Sequence, residues 1–144
     1  MDYLGKFEYS MDSKNRVFIP AKYREALKDG FIVCKAPDKC VYVYSEEEWE
    51  PVAEQVKALR PDEKVSAKVL RRYKTEFFQN ADNAKLDSQG RFTVNAGLVE
   101  YAGLGKKIVI AGSGNKLEIW DADRYAEEFA DLPSEEEIDV EVIF

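Results

Sequence analysis

Two short stretches of the chain repeat one chemistry at one spacing. In "DSKNR" Asp12 precedes Arg16 by four residues, and in "DSQGR" Asp87 precedes Arg91 by the same interval, 75 residues further on. An aspartate at the start of a tight turn accepts hydrogen bonds from the exposed N–H groups of that turn. The arginine four residues on then faces it across the mouth of the loop and offers a planar fork of donors. Two roles fit the pair. The aspartate braces the loop, or it aims the guanidinium at a phosphate or at the O6/N7 edge of a guanine. A single D-x-x-x-R is accounted for by bracing. Its duplication favours the second role, because paired arginines match a repeating polyanion.

Other chemistries are poorly served. The chain has no histidine, which removes Ser/His/Asp and Cys/His nucleophile pairs and the commonest zinc ligand. Cys34 and Cys40 have the spacing of no common zinc site, and a strand position and a turn flank account for them without a disulfide. "AGSGNK" lacks the G-x-G-x-x-G or GK[ST] pattern of a phosphate loop and is expected to be a hairpin turn. The acid runs "EEEWE" and "SEEEIDVE" suit a helix start and a solvated tail, with no ion required. Asp12 and Asp87 as paired carboxylates of a hydrolase lack both a base titrating near neutrality and a metal cluster. No enzyme activity, cofactor, metal or small-molecule substrate is therefore expected.

The formal charge of −7 argues against a polyanionic partner only until it is located. From Asp121 to Phe144 ten acids face one arginine, so the preceding 120 residues carry +2. Residues 1–28 hold Lys6, Lys14, Arg16, Lys22, Arg24 and Lys28 against four acids. No apolar run approaches the ~20 residues that cross a bilayer, and "MDYLGKFEYS" lacks the features of a signal peptide, so a cytoplasmic location is expected.

The elements that must position the two Asp/Arg pairs repeat as well. A slide of 75 sets Met11 on Leu86, Asp12 on Asp87, Arg16 on Arg91, Ile19 on Val94, Ala21 on Ala96 and Glu25 on Glu100. After one inserted residue near "AGLGK", a slide of 76 sets Ile32-Val33 on Ile108-Val109 and "VYVYS" on "LEIWD". Each copy predicts a hairpin, "FEYSMD" with "RVFIP" and "NAKLD" with "RFTV", with Asn15 and Gly90 suited to positive φ. One or two helical turns and a second strand pair follow. Ser45 with Glu48 forms a capping-box signature, Pro51 predicts a kink or restart, and Asp121 predicts an N-cap for "ADRYAEEFA". After Pro61, Val65, Val69, Leu70, Tyr73 and Phe77 recur at helical intervals and predict a helix over the sheet core. Tyr42, Tyr44, Trp49 and Trp120 are expected to pack the core or subunit seams. The division is a first repeat at 4–52, a helical linker at 53–79, a second repeat at 80–130 and an acidic tail at 131–144, in an α+β, mostly β chain.

The ordered set "DSKNRVFIPAKYRE", "DSQGRFTV", "YAGL" and "LEIW" resembles the MraZ family of bacterial transcriptional regulators over nearly all of residues 4–130. The resemblance implies tandem AbrB-like swapped-hairpin halves interleaved into one pseudo-symmetric small β-barrel with flanking helices. It also implies sequence-specific binding of double-stranded DNA at the chain's own promoter, which carries repeated boxes and lies upstream of the division and cell-wall gene cluster. The protein acting there would be a ring-like homo-oligomer associated with the nucleoid. Carried over by residue, Arg16 and Arg91 would face the DNA, Asp12 and Asp87 would support them, and Lys14 would meet phosphate. Copy two departs from the pattern, with Asn95 for Pro20, Gly97 for Lys22 and Val99 for Arg24, which favours Arg16 over Arg91 as the base reader. Arg24 would be an auxiliary phosphate contact or an ion-pair partner of a neighbouring subunit. The alternative is an antitoxin-like or other protein-interaction module of the swapped-hairpin type.

Overall fold

A computed structural model describes residues 1–131. Copy one supplies strands β1 (Lys6–Ser10), β2 (Arg16–Phe18), β3 (Phe31–Ala36) and β4 (Cys40–Ser45), then helices α1 (Glu46–Ala58) and α2 (Ala67–Asn80). Copy two supplies β5 (Asp82–Ala84), β6 (Arg91–Thr93), helix α3 (Ala96–Ala102), β7 (Lys107–Gly112), β8 (Leu117–Asp121) and helix α4 (Ala122–Glu128).

The strands pair across the copies. One antiparallel sheet runs β1-β7-β8-β4-β3-β5, and β2 pairs with β6 in a separate two-stranded ribbon. This corrects the expected local hairpins. The turns after β1 and β5 are present, but β1 pairs with β7 and β2 with β6, so each predicted hairpin opens and exchanges its strands with the other copy. The ladders are centred on equivalent residues, Val17 opposite Phe92 and Tyr42 opposite Glu118, so a pseudo-twofold passes through both. No closed barrel forms among the described residues. β2 and β6 are three residues each and bond to one another, and β1 and β5 remain the two edges of the larger sheet.

The slide of 76 also needs correction over β3 and β7. Phe31 and Val33 share the core face with Ile108 and Ile110, which is a slide of 77, while Val41 and Val43 match Leu117 and Ile119 at 76. A one-residue shift turns every strand side chain to the opposite face, so pairing Ile32 with Ile108 would have placed a core residue outside. From the core position Val33 to Val41 is eight residues and from its counterpart Ile110 to Leu117 is seven, and this one-residue difference restores the register at the dyad.

The core lies between the sheet and the ribbon. Val17, Ile19, Phe92, Val94 and Leu98 close over Val41, Ile110, Leu117 and Ile119, all buried. Each such side chain withdrawn from water contributes about 2 kcal/mol. Helices α1, α2 and α4 cover the other face, where Trp49 stacks on Phe77 at 5.6 Å and Trp120 meets Tyr125 and Phe129. Tyr44 and Trp120 are buried there and Tyr42 is half-buried.

Local signals set the helix starts. Ser45 accepts the Glu48 N–H at 3.2 Å, and Asp121 accepts from Arg124. Asn95 accepts the Leu98 N–H at 2.9 Å and starts α3, whereas Pro20 at the equivalent place has no capping side chain, and copy one forms only a 3-10 turn over Ala21–Tyr23. Pro51 does not restart α1, which runs continuously through it. Helix α2 begins only at its own cap, Ser66, and Leu70, 9% exposed, is its one buried side chain; Val69 and Tyr73 stand 56% and 52% exposed, so the helix covers the sheet along one edge only. "AGSGNK" is the expected connector, with Ser113 N–H bonded to the Lys116 carbonyl and Gly114 bridged to Tyr3. Both cysteines are free and buried, and burial pushes the Cys34 thiol up to about 12 and that of Cys40 higher still. The tail run "SEEEIDVE" lies outside the described residues.

Candidate nucleic-acid interface

Each D-x-x-x-R turn is built the same way. Asp12 accepts the N–H groups of Lys14 at 3.0 Å and Arg16 at 2.9 Å, and its other oxygen accepts Arg16 Nε–H at 2.6 Å. Asp87 accepts the N–H groups of Gln89 and Arg91 at 2.9 Å each and Arg91 Nε–H at 3.0 Å. The turns close through Asn15 N–H on the Asp12 carbonyl and Gly90 N–H on the Asp87 carbonyl, with φ of +59° and +83° at the two apices. Bracing and orientation thus coexist in one carboxylate: the aspartate holds Nε and leaves the Nη groups without a hydrogen bond to it.

The ribbon brings the two turns onto one surface. Strand alternation sends Val17 and Phe92 into the core and places Arg16, Phe18, Arg91 and Thr93 on the outer face. Each turn is also tied to the other copy, since Asn15 accepts the Val94 N–H at 2.9 Å and Gly90 accepts the Ile19 N–H at 3.0 Å. The arrangement is not fully symmetric. Arg91 extends an Nη1 to within 3.9 Å of Asp12 and is 18% exposed, whereas the Arg16 side chain is 32% exposed and pairs with Asp12 alone.

Lys14 is exposed at the tip of the first turn, where copy two has Gln89. Arg24 is more enclosed than the sequence indicates. Its Nε donates to the Ile19 carbonyl at 2.8 Å, and its guanidinium lies 5.7 Å from the Phe18 ring centroid, with that of Arg91 5.9 Å from the same ring. Phe18 is therefore a shared platform for two arginines, a role that sequence spacing does not disclose because Arg91 comes from the other copy. Four cations, Lys14, Arg16, Arg24 and Arg91, face two carboxylates here, so the surface is net positive on an acidic chain.

Gly90 has a packing role as well as a backbone one. A Cβ there would stand 2.7 Å from Cδ and Cζ of Arg24, at φ +83°. Gly90→Ala is expected to cost about 1–3 kcal/mol in urea unfolding, strain and crowding together. Gly114→Ala, at φ +80° with nothing within 4 Å, bears the strain alone and is expected to cost about 1 kcal/mol. Equal losses at the two sites would show that Arg24 yields freely.

The Arg16 backbone N–H holds the Asp12 carboxyl below its ordinary range, aided by the Arg16 guanidinium and the Lys14 N–H; the Arg91 N–H does the same for Asp87, aided by the Gln89 N–H and the Arg91 guanidinium. A lowered folded-state pKa stabilises above the unfolded value and loses that contribution as pH falls through the folded one. The stability gap between wild type and Asp12→Ala/Asp87→Ala is therefore expected to stay constant from about pH 5 to 8 and to close below about pH 4, measured by urea titration. Among the described residues no group of three or more His, Cys, Asp or Glu is placed to hold a metal ion, and no helix is long and apolar enough to cross a membrane.

Comparison with known proteins matches residues 3–72 and 77–141 to the family model described as "MraZ protein, putative antitoxin-like". The chain is 39% identical over 124 residues to a protein named transcriptional regulator MraZ from Heliobacterium modesticaldum, an alignment covering 86% of this chain and 84% of that one. It is 40% identical to the protein of the same name from Thermobifida fusca, over 87% and 85% of the two chains, and 38% identical to that from Clostridium acetobutylicum, again over 87% and 85%.

Proposed function

The chain belongs to the MraZ family, and from that membership together with the ribbon geometry we propose that it is a transcriptional regulator that binds specific double-stranded DNA at its own promoter in the division and cell-wall gene cluster. One observation carries the reading: Arg16 and Arg91 stand on the outer face of a two-stranded antiparallel ribbon, each clamped at Nε by its own aspartate, so that the Nη groups are left for another partner, in full at Arg16 and in part at Arg91. The major groove admits a two-stranded ribbon, and an Nη fork is the donor pair that matches O6 and N7 of guanine. Asp12 and Asp87 are supports, since each spends its oxygens on the turn.

Lys14 meets phosphate at the tip of the first turn, and Arg24 adds a second phosphate contact beside Phe18. Arg16 is the stronger reader because it is the more exposed and serves one carboxylate. The interleaved halves, 4–52 and 80–130 with the helical segment 53–79 between them, are read as AbrB-like swapped hairpins. A ring-like homo-oligomer acting on repeated boxes converts modest single contacts into tight binding through effective concentration. Such a protein works in the cytoplasm on nucleoid DNA and performs no catalysis.

The antitoxin-like wording of the family description supports one other reading, a module that binds a protein rather than DNA. Footprinting on the chain's own upstream DNA across a salt series separates the two. Protection of repeated boxes that fades steeply as salt rises is expected. A stoichiometric protein partner with no protected DNA would favour the alternative.

A further inference from the structure

A cavity of about 390 Å³ opens where α1 and α2 meet β3 and β4. That volume is within the range of small-molecule sites, ~300–1,000 Å³. Tyr42, Tyr44 and Phe77 present rings to it, and Val52 and Val56 supply aliphatic wall. Tyr101 reaches the lining from α3 of the other copy, its hydroxyl fixed by donation to the Ala36 carbonyl at 2.7 Å.

Three ammonium groups stand against these rings. Lys35 and Lys39 place Nζ 4.6 and 4.7 Å from the Tyr101 centroid, and Lys116 places Nζ 4.7 Å from that of Tyr42. One carboxylate of the lining answers them, since Glu76 pairs with Lys35 at 2.6 Å; Lys35 foremost, with Lys39 adding to it, holds that carboxyl below its ordinary range. Glu118, opposite Tyr42 in the ladder, accepts the Trp120 Nε1–H at 2.9 Å. Lys39 and Lys116 form no ion pair among the described residues, so the aromatic wall carries unanswered positive charge.

Duplication does not account for this arrangement. Lys39 is presented from a strained connection, with Asp38 and Lys39 at φ +67° and +64°, where copy two has Gly114 at +80°. The counterpart cleft of copy two, about 350 Å³, has Glu118, Trp120 and Glu128 in place of Tyr42, Tyr44 and Val52, and so presents carboxylates instead.

We propose that the cavity of copy one is a binding site for a small aromatic carboxylate, its ring system against Tyr42, Tyr44 and Phe77 and its carboxylate at Lys39. Aromatic rings pack on one another in offset or edge-on contacts, and an ammonium freed of competing carboxylates favours an anion over a neutral or cationic ligand. The site shares no residue with the Asp/Arg turns, and its test does not depend on DNA.

Dye binding to the full-length chain provides that test, with anilinonaphthalene sulfonate as the fluorescent probe, naphthoate as the anionic competitor and naphthylmethanol as its neutral analogue. Saturable uptake of one dye per chain is expected, displaced by naphthoate and not by naphthylmethanol at the same concentration. Lys39→Gln is expected to weaken naphthoate binding about fivefold with an unchanged circular dichroism spectrum. Val52→Phe, which fills the cavity, is expected to take up no dye. Lys39 is exposed and its replacement leaves the fold unchallenged, so the anion measurement decides the matter even where Val52→Phe fails to fold. Absence of saturable uptake, equal displacement by naphthylmethanol, unchanged naphthoate affinity in Lys39→Gln, or full uptake by a folded Val52→Phe would each overturn the site. So would uptake that appears only as the protein is diluted, which would mean that a second copy of the chain fills the cavity.

Discussion

Arg16→Ala is expected to abolish promoter binding in a gel shift while leaving the assembled size and the thermal midpoint near those of wild type. The brace survives the substitution, because Asp12 keeps the N–H groups of residues 14 and 16 whatever the side chain at 16. What disappears is the Nη fork on the outer face. A bidentate contact to a base is worth about 1–3 kcal/mol of discrimination, roughly 5- to 150-fold at one site, and repetition across bound copies compounds it. Arg91→Ala is expected to cost the same or less, since its Nη1 leans to within 3.9 Å of Asp12 and its side chain is the less exposed of the two. Gel shift and sizing on one sample measure both halves of the expectation. Unchanged binding by Arg16→Ala would reject the assigned contact.

Residues 1–79, copy one with its helices, are expected to be unfolded as a monomer. Among the described residues β1 pairs only with β7 and β2 only with β6, while β3 and β4 each lose one neighbour when copy two is removed. The remaining β3–β4 hairpin is marginal by itself. Val17, Ile19, Val41 and Val43 would then face water where Phe92, Leu98, Leu117 and Ile119 now cover them. At about 2 kcal/mol each, that loss is comparable to the whole stability of a small domain, ~5–15 kcal/mol. Poor amide dispersion in a proton–nitrogen NMR spectrum is the expected result, with recovery on adding residues 80–144. A well-dispersed spectrum at monomeric mass would show that one copy holds its own core.

Much of the local structure was legible in the residues. Asn15 and Gly90 adopt the positive φ their types suggest, Ser45 and Asp121 cap the helices that follow them, and the aspartates accept the turn N–H groups that their position offers. These features depend on atoms within about four residues of each other, so the spacing carries the information. The order of strands and short helices in each copy was legible for the same reason.

Partner choice was not. A hairpin pattern looks alike whether its strands pair with each other or exchange with a twin, and the decision rests on which arrangement buries Val17 and Phe92 under one sheet. The slip to 77 over β3, the open ribbon in place of a barrel, and the lone exposed face of α2 follow from that same long-range burial. At the candidate site, sequence named the two Asp/Arg pairs, while only tertiary packing laid Arg91 against Asp12 and set Arg24 between Gly90 and Phe18. Local hydrogen bonds fix the shape of each turn, and the core shared by the two copies decides where those turns meet.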